Sequence, residues 1–251
     1  MLRFSLFAVV LLTSLSANET KEYTFPEGEF LEYSMSWSAL KVGEATLRRN
    51  PNTKYEGTPC LHFTMTARTY GIADKIYKVR DQINSYTDLK LHNTLYYTKK
   101  QQEGRTKRDV KVTFDHEKKE ALYHNFGKPN PKPLKIRDGI LDPLSIMYSL
   151  RNKKLKVGEV VKLPSTDGKK VIEVEVGVLD KEKVKVPAGK FTAFRLAPAT
   201  KDLRGVFKKS KDAKIELWVS ETAPHYPLKM KSKVIVGSFS GKLVKITKPK
   251  K

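Results

Sequence analysis

Apolar and polar positions alternate with period two along most of the chain, the signature of half-buried strands. In "FLEYSMSW", Leu31, Tyr33, Met35 and Trp37 fall on one face. "VGEATLRR" follows after the short link "SALK", so the two predict a hairpin. "CLHFTMTART" places Leu61, Phe63, Met65 and Ala67 together, and "KVRDQINSY" reads as a further strand. "NTLYYTKKQQEG" and "KRDVKVTFDH" predict another pair with Val110, Val112 and Phe114 inward, and "KKEALYHN" a return strand. Later, "GEVVKLPS" leads through the turn "TDGKK" into "VIEVEVGV", where Ile172, Val174, Val176 and Val178 oppose Glu173 and Glu175. "EKVKV", "FTAFRL", "IELWVS", "LKMKSKVIV" and "SFSGKLVKI" complete more than ten expected strands.

Helical spacing is confined to two places. "YGIADKIY", Tyr70 to Tyr77, reads as a short helix or a helical turn. "LDPLSIMYSLRN" is the clearer helix: Asp142 caps it, Pro143 suits its first position, and Leu144, Met147 and Leu150 fall near one face. With so few helices, parallel crossovers are excluded. The expected fold is mainly β, an antiparallel, strongly curved sheet or barrel-like halves with one or two short helices. The Pro-rich "GKPNPKPL" marks a joint, which divides the chain into a leader 1–17, an N-terminal β half 18–126, a joint and helix 127–152, and a C-terminal β half 153–251.

Two stretches share the pattern apolar–Pro–x–Gly–x–Phe: "FPEGEF", Phe25 to Phe30, and "VPAGKF", Val186 to Phe191. The second lies between two strand patterns, with Pro at a turn corner and Gly two places on, and predicts a hairpin turn. It lacks the spacing and hydroxyl of a phosphate-cradling loop. "FPEGEF" reads as a strand lead-in of similar shape.

The first residues change the compartment. Arg3, the apolar run Phe4 to Leu12 and the small residues of "SLSA" have the layout of a secretory signal peptide, cleaved after Ser16 or Ala17. The run is shorter than the roughly 20 residues that span a bilayer. The expected location is exported, most simply periplasmic, with no transmembrane segment in the mature chain. Cys60 is the single cysteine, so no intramolecular disulfide forms; its apolar alternating surroundings favour a buried thiol over a bond between chains.

The formal charge is +22. Such a field favours anionic lipid, acidic envelope polymer or an acidic envelope protein; export argues against nucleic acid. A generally basic proteome is the plain alternative, because the lysines are spread along the chain. Two local concentrations stand out. "KDLRGVFKKSKDAK", Lys201 to Lys214, carries six basic and two acidic residues, among them Lys208, Lys209 and Lys211. "LKMKSKVIV" aligns Lys229, Lys231 and Lys233 on one strand face, opposite Leu228, Met230 and Val234. These six lysines are the expected anion-binding residues; a solvated strand face is the competing explanation.

Motifs for catalysis are missing. "GSFSG" has Phe239 where a nucleophile elbow requires serine, and no two histidines have helical metal-ligand spacing. His116, His124 and Asp115 flank a turn, which reads as a solvated strand end rather than a metal site. No catalytic residue, metal or cofactor is expected. Glu103, Asp109 and Asp115 are carboxylates in β hairpins, the raw material for a hydrolase if two of them face each other.

The stretches "LKVGEVVKLPSTDGKK", "VPAGKFTAFRLAP" and "IELWVSETAPHYPLKMKSKVIVGSFSGKL" carry a resemblance to the exported bacterial proteins of domain-of-unknown-function family 3108. It runs from about Pro26 to Ile246, more loosely in the N-terminal half through "YKVRDQINSYTD" and "DPLSIMYSLR". It implies an envelope protein of antiparallel β structure, brings no catalytic residues, and makes Trp218, Pro227 and Gly237 framework positions. The expected function is a non-enzymatic envelope protein binding an amphiphile, acidic polymer or envelope partner on a concave β surface. The alternative is a hydrolase of envelope glycan or lipid using strand-borne carboxylates.

Overall fold

The computed structural model describes residues 25–130, 132–199, 215–233 and 238–248. The signal-like leader, Lys208, Lys209, Lys211, Val234 and Gly237 lie outside them. The N-terminal strands are β1 (Phe30–Trp37), β2 (Leu40–Tyr55), β3 (Thr58–Thr69), β4 (Val79–Thr87), β5 (Thr94–Glu103), β6 (Thr106–Asp115), β7 (Glu120–Asn125), β8 (Lys128–Pro129) and β9 (Leu134–Lys135). The C-terminal strands are β10 (Val160–Thr166), β11 (Val171–Val186), β12 (Gly189–Pro198), β13 (Ile215–Ser220), β14 (Pro227–Lys233) and β15 (Ser238–Thr247). Helix α1 (Gly71–Ile76) follows β3, and α2 (Ser145–Arg151) joins the two sets.

Strands β1 to β8, and β10 to β15, each pair antiparallel with the next. They form one curled, unclosed sheet of 15 strands in the order β10-β11-β12-β13-β14-β15-β1-β2-β3-β4-β5-β6-β7-β8, with β9 also on β7. Strands β1 and β15 pair along their whole length, from Phe30 opposite Thr247 to Trp37 opposite Phe239. The first and last of the described strands therefore lie side by side in the middle of the sheet, and the N- and C-terminal meanders are hydrogen-bonded to each other. Phe25, Leu31, Leu47 and Phe63 share a core cluster with Val184, Trp218, Leu228 and Leu243. Among the described residues no helix is long and apolar enough to cross a membrane.

The turns follow local chemistry. Glu56 and Gly57 both have positive φ between Tyr55 and Thr58, the two-residue turn whose twist matches the flanking strands. "VPAGKF" forms the β11–β12 hairpin, with Val186 opposite Gly189 and Pro187–Ala188 between them. Ala188 N–H then donates to the Leu243 carbonyl at 3.1 Å, so the hairpin tip docks on β15.

Three expectations change. "VIEVEVGV" and "EKVKV" are one strand: a bulge between Val178 and Asp180 turns β11 without ending it. The Pro-rich stretch contains two short strands, β8 and β9, held on β7. Finally, α2 is not a one-sided amphipathic helix. Leu144 and Tyr148 join the core around Phe63, Leu150 joins a second around Leu163, Val178 and Leu196, and Ser145, Ser149 and Arg151 are also buried.

Candidate functional site

The inner face is occupied by the chain itself. Glu29, between the "FPEG" turn and β1, and Arg151, last residue of α2, are 0% and 1% exposed. Their side chains meet with Arg151 Nη1 2.8 Å from Oε1 and Nη2 donating to Oε2 at 3.0 Å. The pair is thus an ion contact with one charge-assisted hydrogen bond, which leaves Arg151 Nε and Nη1 and Glu29 Oε1 without a hydrogen-bond partner in the core. The guanidinium also lies 4.5 Å from the Phe25 ring centre, 5.1 Å from Tyr148 and 5.3 Å from Tyr226. Burial alone would draw Arg151 down; the Glu29 carboxylate more than restores it. Tyr148 stacks on Phe63 with ring centres 3.8 Å apart. Its buried hydroxyl has no protein hydrogen-bond partner, and burial pushes its phenol up. Tyr148→Phe is accordingly expected to leave stability unchanged or raise it by about 1–2 kcal/mol in urea titration, since a buried hydroxyl without a partner is costly.

A second buried centre fixes the start of α2. Asp142 Oδ1 accepts the Leu144 N–H at 2.8 Å and the Ser145 N–H at 3.1 Å, performing the capping expected of it. Its Oδ2 accepts the hydroxyls of Ser85, at 2.5 Å, and Thr94, at 2.8 Å. The helix is thereby tied to β4 and β5. Burial raises the Asp142 carboxyl, against the pull of these donors.

Toward one end of β4–β6 the same strand face turns polar. Register puts Asp81 opposite Gln101, Ile83 opposite Lys99, and Val79 opposite Glu103; Gln101 opposes Arg108 on β6. Asp81 is pushed up to about 6 by burial and then by the Glu103 carboxylate, while its backbone bond from Gln102 N–H pulls the other way. Lys99 is lowered, first by burial and then by Arg108. For an acid raised on folding, the native state holds the proton more tightly than the unfolded chain. Asp81's contribution therefore falls as pH rises from about 4 to about 6. Asp81→Asn is expected to flatten the urea midpoint across that window, and an unchanged slope would place the titration elsewhere.

The other carboxylates and the histidines are dispersed. Asp115 is lowered by the Lys118 backbone N–H and ammonium. Asp109 N–H donates to Asn125 Oδ1. His116 Nε2 donates to the Thr94 carbonyl at 2.7 Å, while His124 sits along β7 opposite Lys111. Among the described residues no group of three or more metal-ligating side chains is assembled.

Lys229, Lys231 and Lys233 do share one face of β14, alternating with buried Leu228 and Ser232. That face is of mixed sign. Lys229 Nζ lies 4.0 Å from the Trp218 ring centre and is lowered by burial. The Trp218 indole N–H donates to Glu182. Lys231 is opposite Glu216, and Arg195 bonds both Glu216 and Asp180, each at 2.5 Å. A separate lysine group on the β11–β12 hairpin is not part of any basic run in the sequence: Lys181, Lys183, Lys185 and Lys190 are all exposed. The only signal there was strand alternation, with each lysine of "KVKV" next to a buried valine.

The curled, unclosed antiparallel meander defines a β-barrel-like class of protein. The family profile "Protein of unknown function (DUF3108)" matches residues 32–244, and the chain belongs to that family. A β-barrel-like protein of the DUF1849 domain of unknown function from Brucella abortus superposes with a TM-score of 0.57 at 12% identity, covering 90% of this chain and 99% of that one. A candidate exported protein with a YmcC-like fold from Bacteroides fragilis aligns at 12% identity over 90% of this chain and all (100%) of its own, with a TM-score of 0.36. No curated protein matches the chain.

Proposed function

We propose that this protein is an exported, non-catalytic component of the cell envelope, most simply periplasmic, that binds an acidic envelope component through its outer sheet surface. The observation that carries the reading is the filled interior. Tyr148, Leu144, Phe25, Phe63 and the Glu29–Arg151 pair occupy the concave side where an amphiphile would lie. Binding is thus assigned to the outside, where Lys229, Lys231 and Lys233 share a face. Lys208, Lys209 and Lys211, outside the described residues, belong to the same reading through their local charge excess. The leader supports export, and the +22 charge supports an acidic partner.

The test is co-sedimentation with anionic vesicles and with a soluble acidic polysaccharide across a salt series. Binding that weakens steeply with salt, and is reduced when Lys208, Lys209, Lys231 and Lys233 are replaced by Gln, is expected. Lys229 is kept because it stands over Trp218. Salt-insensitive binding, or none to either probe, overturns the reading.

One observation favours a hydrolase instead: Asp81 and Glu103 share a strand face, and Asp81 is pushed up to about 6, into the range of a general acid. That second reading requires release of reducing ends from envelope glycan, or of fatty acid from envelope lipid, which both Asp81→Asn and Glu103→Gln abolish. No release by the unaltered protein ends it.

A further inference from the structure

We propose that the β11–β12 hairpin is a docking surface for an anionic lipid bilayer, with Lys183, Lys185 and Lys190 as its contacts and Pro187 at its apex. This rests on the reading that the chain binds an acidic envelope component, and it names both the partner and a new place. Lys185 is directly opposite Lys190, and Lys183 is opposite Thr192, so all three lysines project from the same side of the hairpin. Side chains facing across an antiparallel pair start about 5 Å apart, and two residues along a strand span about 7 Å. Both separations lie within the roughly 8 Å over which charges act at physiological ionic strength. The three lysines therefore present one field.

Like charges directly opposite each other destabilise a strand pair. Several other exposed lysines have carboxylate partners: Lys181 meets Glu221 at 2.6 Å, Lys162 meets Glu175 at 3.0 Å, and Lys135 meets Glu120 at 2.8 Å. Among the described residues no ion pair involves Lys183, Lys185 or Lys190. The nearest acid in sequence, Glu182, is on the other side of β11, where it accepts the Trp218 indole N–H. The hairpin thus holds an uncompensated positive array, complementary to a negatively charged plane.

The apex favours a bilayer over a soluble polymer. Between the lysines the chain reads Val186, Pro187, Ala188, Gly189, without charge, and Pro187 is exposed. An uncharged tip flanked by long aliphatic stems with terminal ammonium groups suits a headgroup layer, where lysines keep their charges at the interface. The hairpin is also braced for contact from outside. Val184 and Val186 are buried in the same core as Leu243, and the tip is bonded to β15 through Ala188. Pressing on the lysine side loads the core instead of bending a loose ribbon.

The experiment compares the mature protein with two triple variants of equal charge loss. In one, Lys183, Lys185 and Lys190 become Gln. In the other, Lys107, Lys111 and Lys128, exposed on the β6–β8 side of the sheet, become Gln. Each protein is titrated with mixed phosphatidylglycerol–phosphatidylcholine vesicles, with phosphatidylcholine vesicles alone, and with a soluble acidic polysaccharide. Each lysine at an anionic surface strengthens binding about fivefold, so the hairpin variant is expected to lose on the order of a hundredfold on the mixed vesicles. The control variant should lose far less. A Pro187→Trp variant should show blue-shifted emission with the mixed vesicles and not with the polysaccharide. Equal losses in the two triple variants, or a hairpin variant that binds like the unaltered protein, overturn the hairpin proposal and leave the acidic-partner reading standing. Binding to the polysaccharide but not to mixed vesicles overturns the bilayer as partner. Absence of any salt-sensitive binding by the unaltered protein overturns both.

Discussion

Arg151→Met should destabilise the folded chain by about 3–5 kcal/mol, because it leaves the Glu29 carboxylate buried without its partner. Glu29 is 0% exposed and its carboxylate meets, among the described residues, only Arg151, by one hydrogen bond and one 2.8 Å ion contact, so no rearrangement short of opening the core brings it to water. The companion double variant, Glu29→Leu with Arg151→Met, should recover most of the loss. Replacing a buried ion pair by apolar groups of similar size is often neutral or stabilising. Urea midpoints of the two single variants and the double variant give the coupling directly. If the double variant is as unstable as Arg151→Met, the pair is not what the core depends on, and the aromatic packing of Arg151 against Phe25, Tyr148 and Tyr226 becomes the stronger term.

Asp142→Ala is the second large effect, expected at about 3–4 kcal/mol. It strips the cap from α2, which alone is worth up to about 2 kcal/mol. It also leaves the Ser85 and Thr94 hydroxyls without their acceptor in a buried site, each a further cost of about 1 kcal/mol or more. Asp142→Asn retains an oxygen for the Leu144 and Ser145 N–H groups and should cost roughly half as much. Equal losses for Ala and Asn would show that the carboxylate's charge, and not its capping geometry, matters at this position.

Much of the sheet was legible because alternation reports a two-sided strand whatever its neighbours. The β1–β2 and β11–β12 hairpins and the inward set Val110, Val112 and Phe114 all follow from it. What alternation cannot report is which strands meet across long stretches of sequence. The β1–β15 pairing merges the two meanders into one sheet, and no local pattern carries it. The bulge in β11 was lost for a related reason, since a single extra residue reads as a strand end.

The buried ion pair had a readable phase, although charge alone argued against burial. Glu29 is in step with inward Leu31, two residues later. Arg151 is in step with Leu144 and Tyr148 at helical spacings of four and three. "FPEGEF" looked like a lead-in and supplies both Phe25 and Glu29 to the centre of the core. The lysine face of the hairpin escaped notice because its charges are interleaved with valines. A search for basic runs finds segments such as Lys201–Lys214 and passes over an array that only cross-strand register assembles.

Native mass spectrometry of the protein taken from its own envelope, before and after a high-salt wash, reads the binding mode directly. The bare polypeptide mass is expected after the wash, with acidic lipid or polymer present only before it. A stoichiometric amphiphile that survives the salt would contradict binding at the outer surface, because such a ligand would have to sit where Tyr148, Leu144 and the Glu29–Arg151 pair now fill the curl.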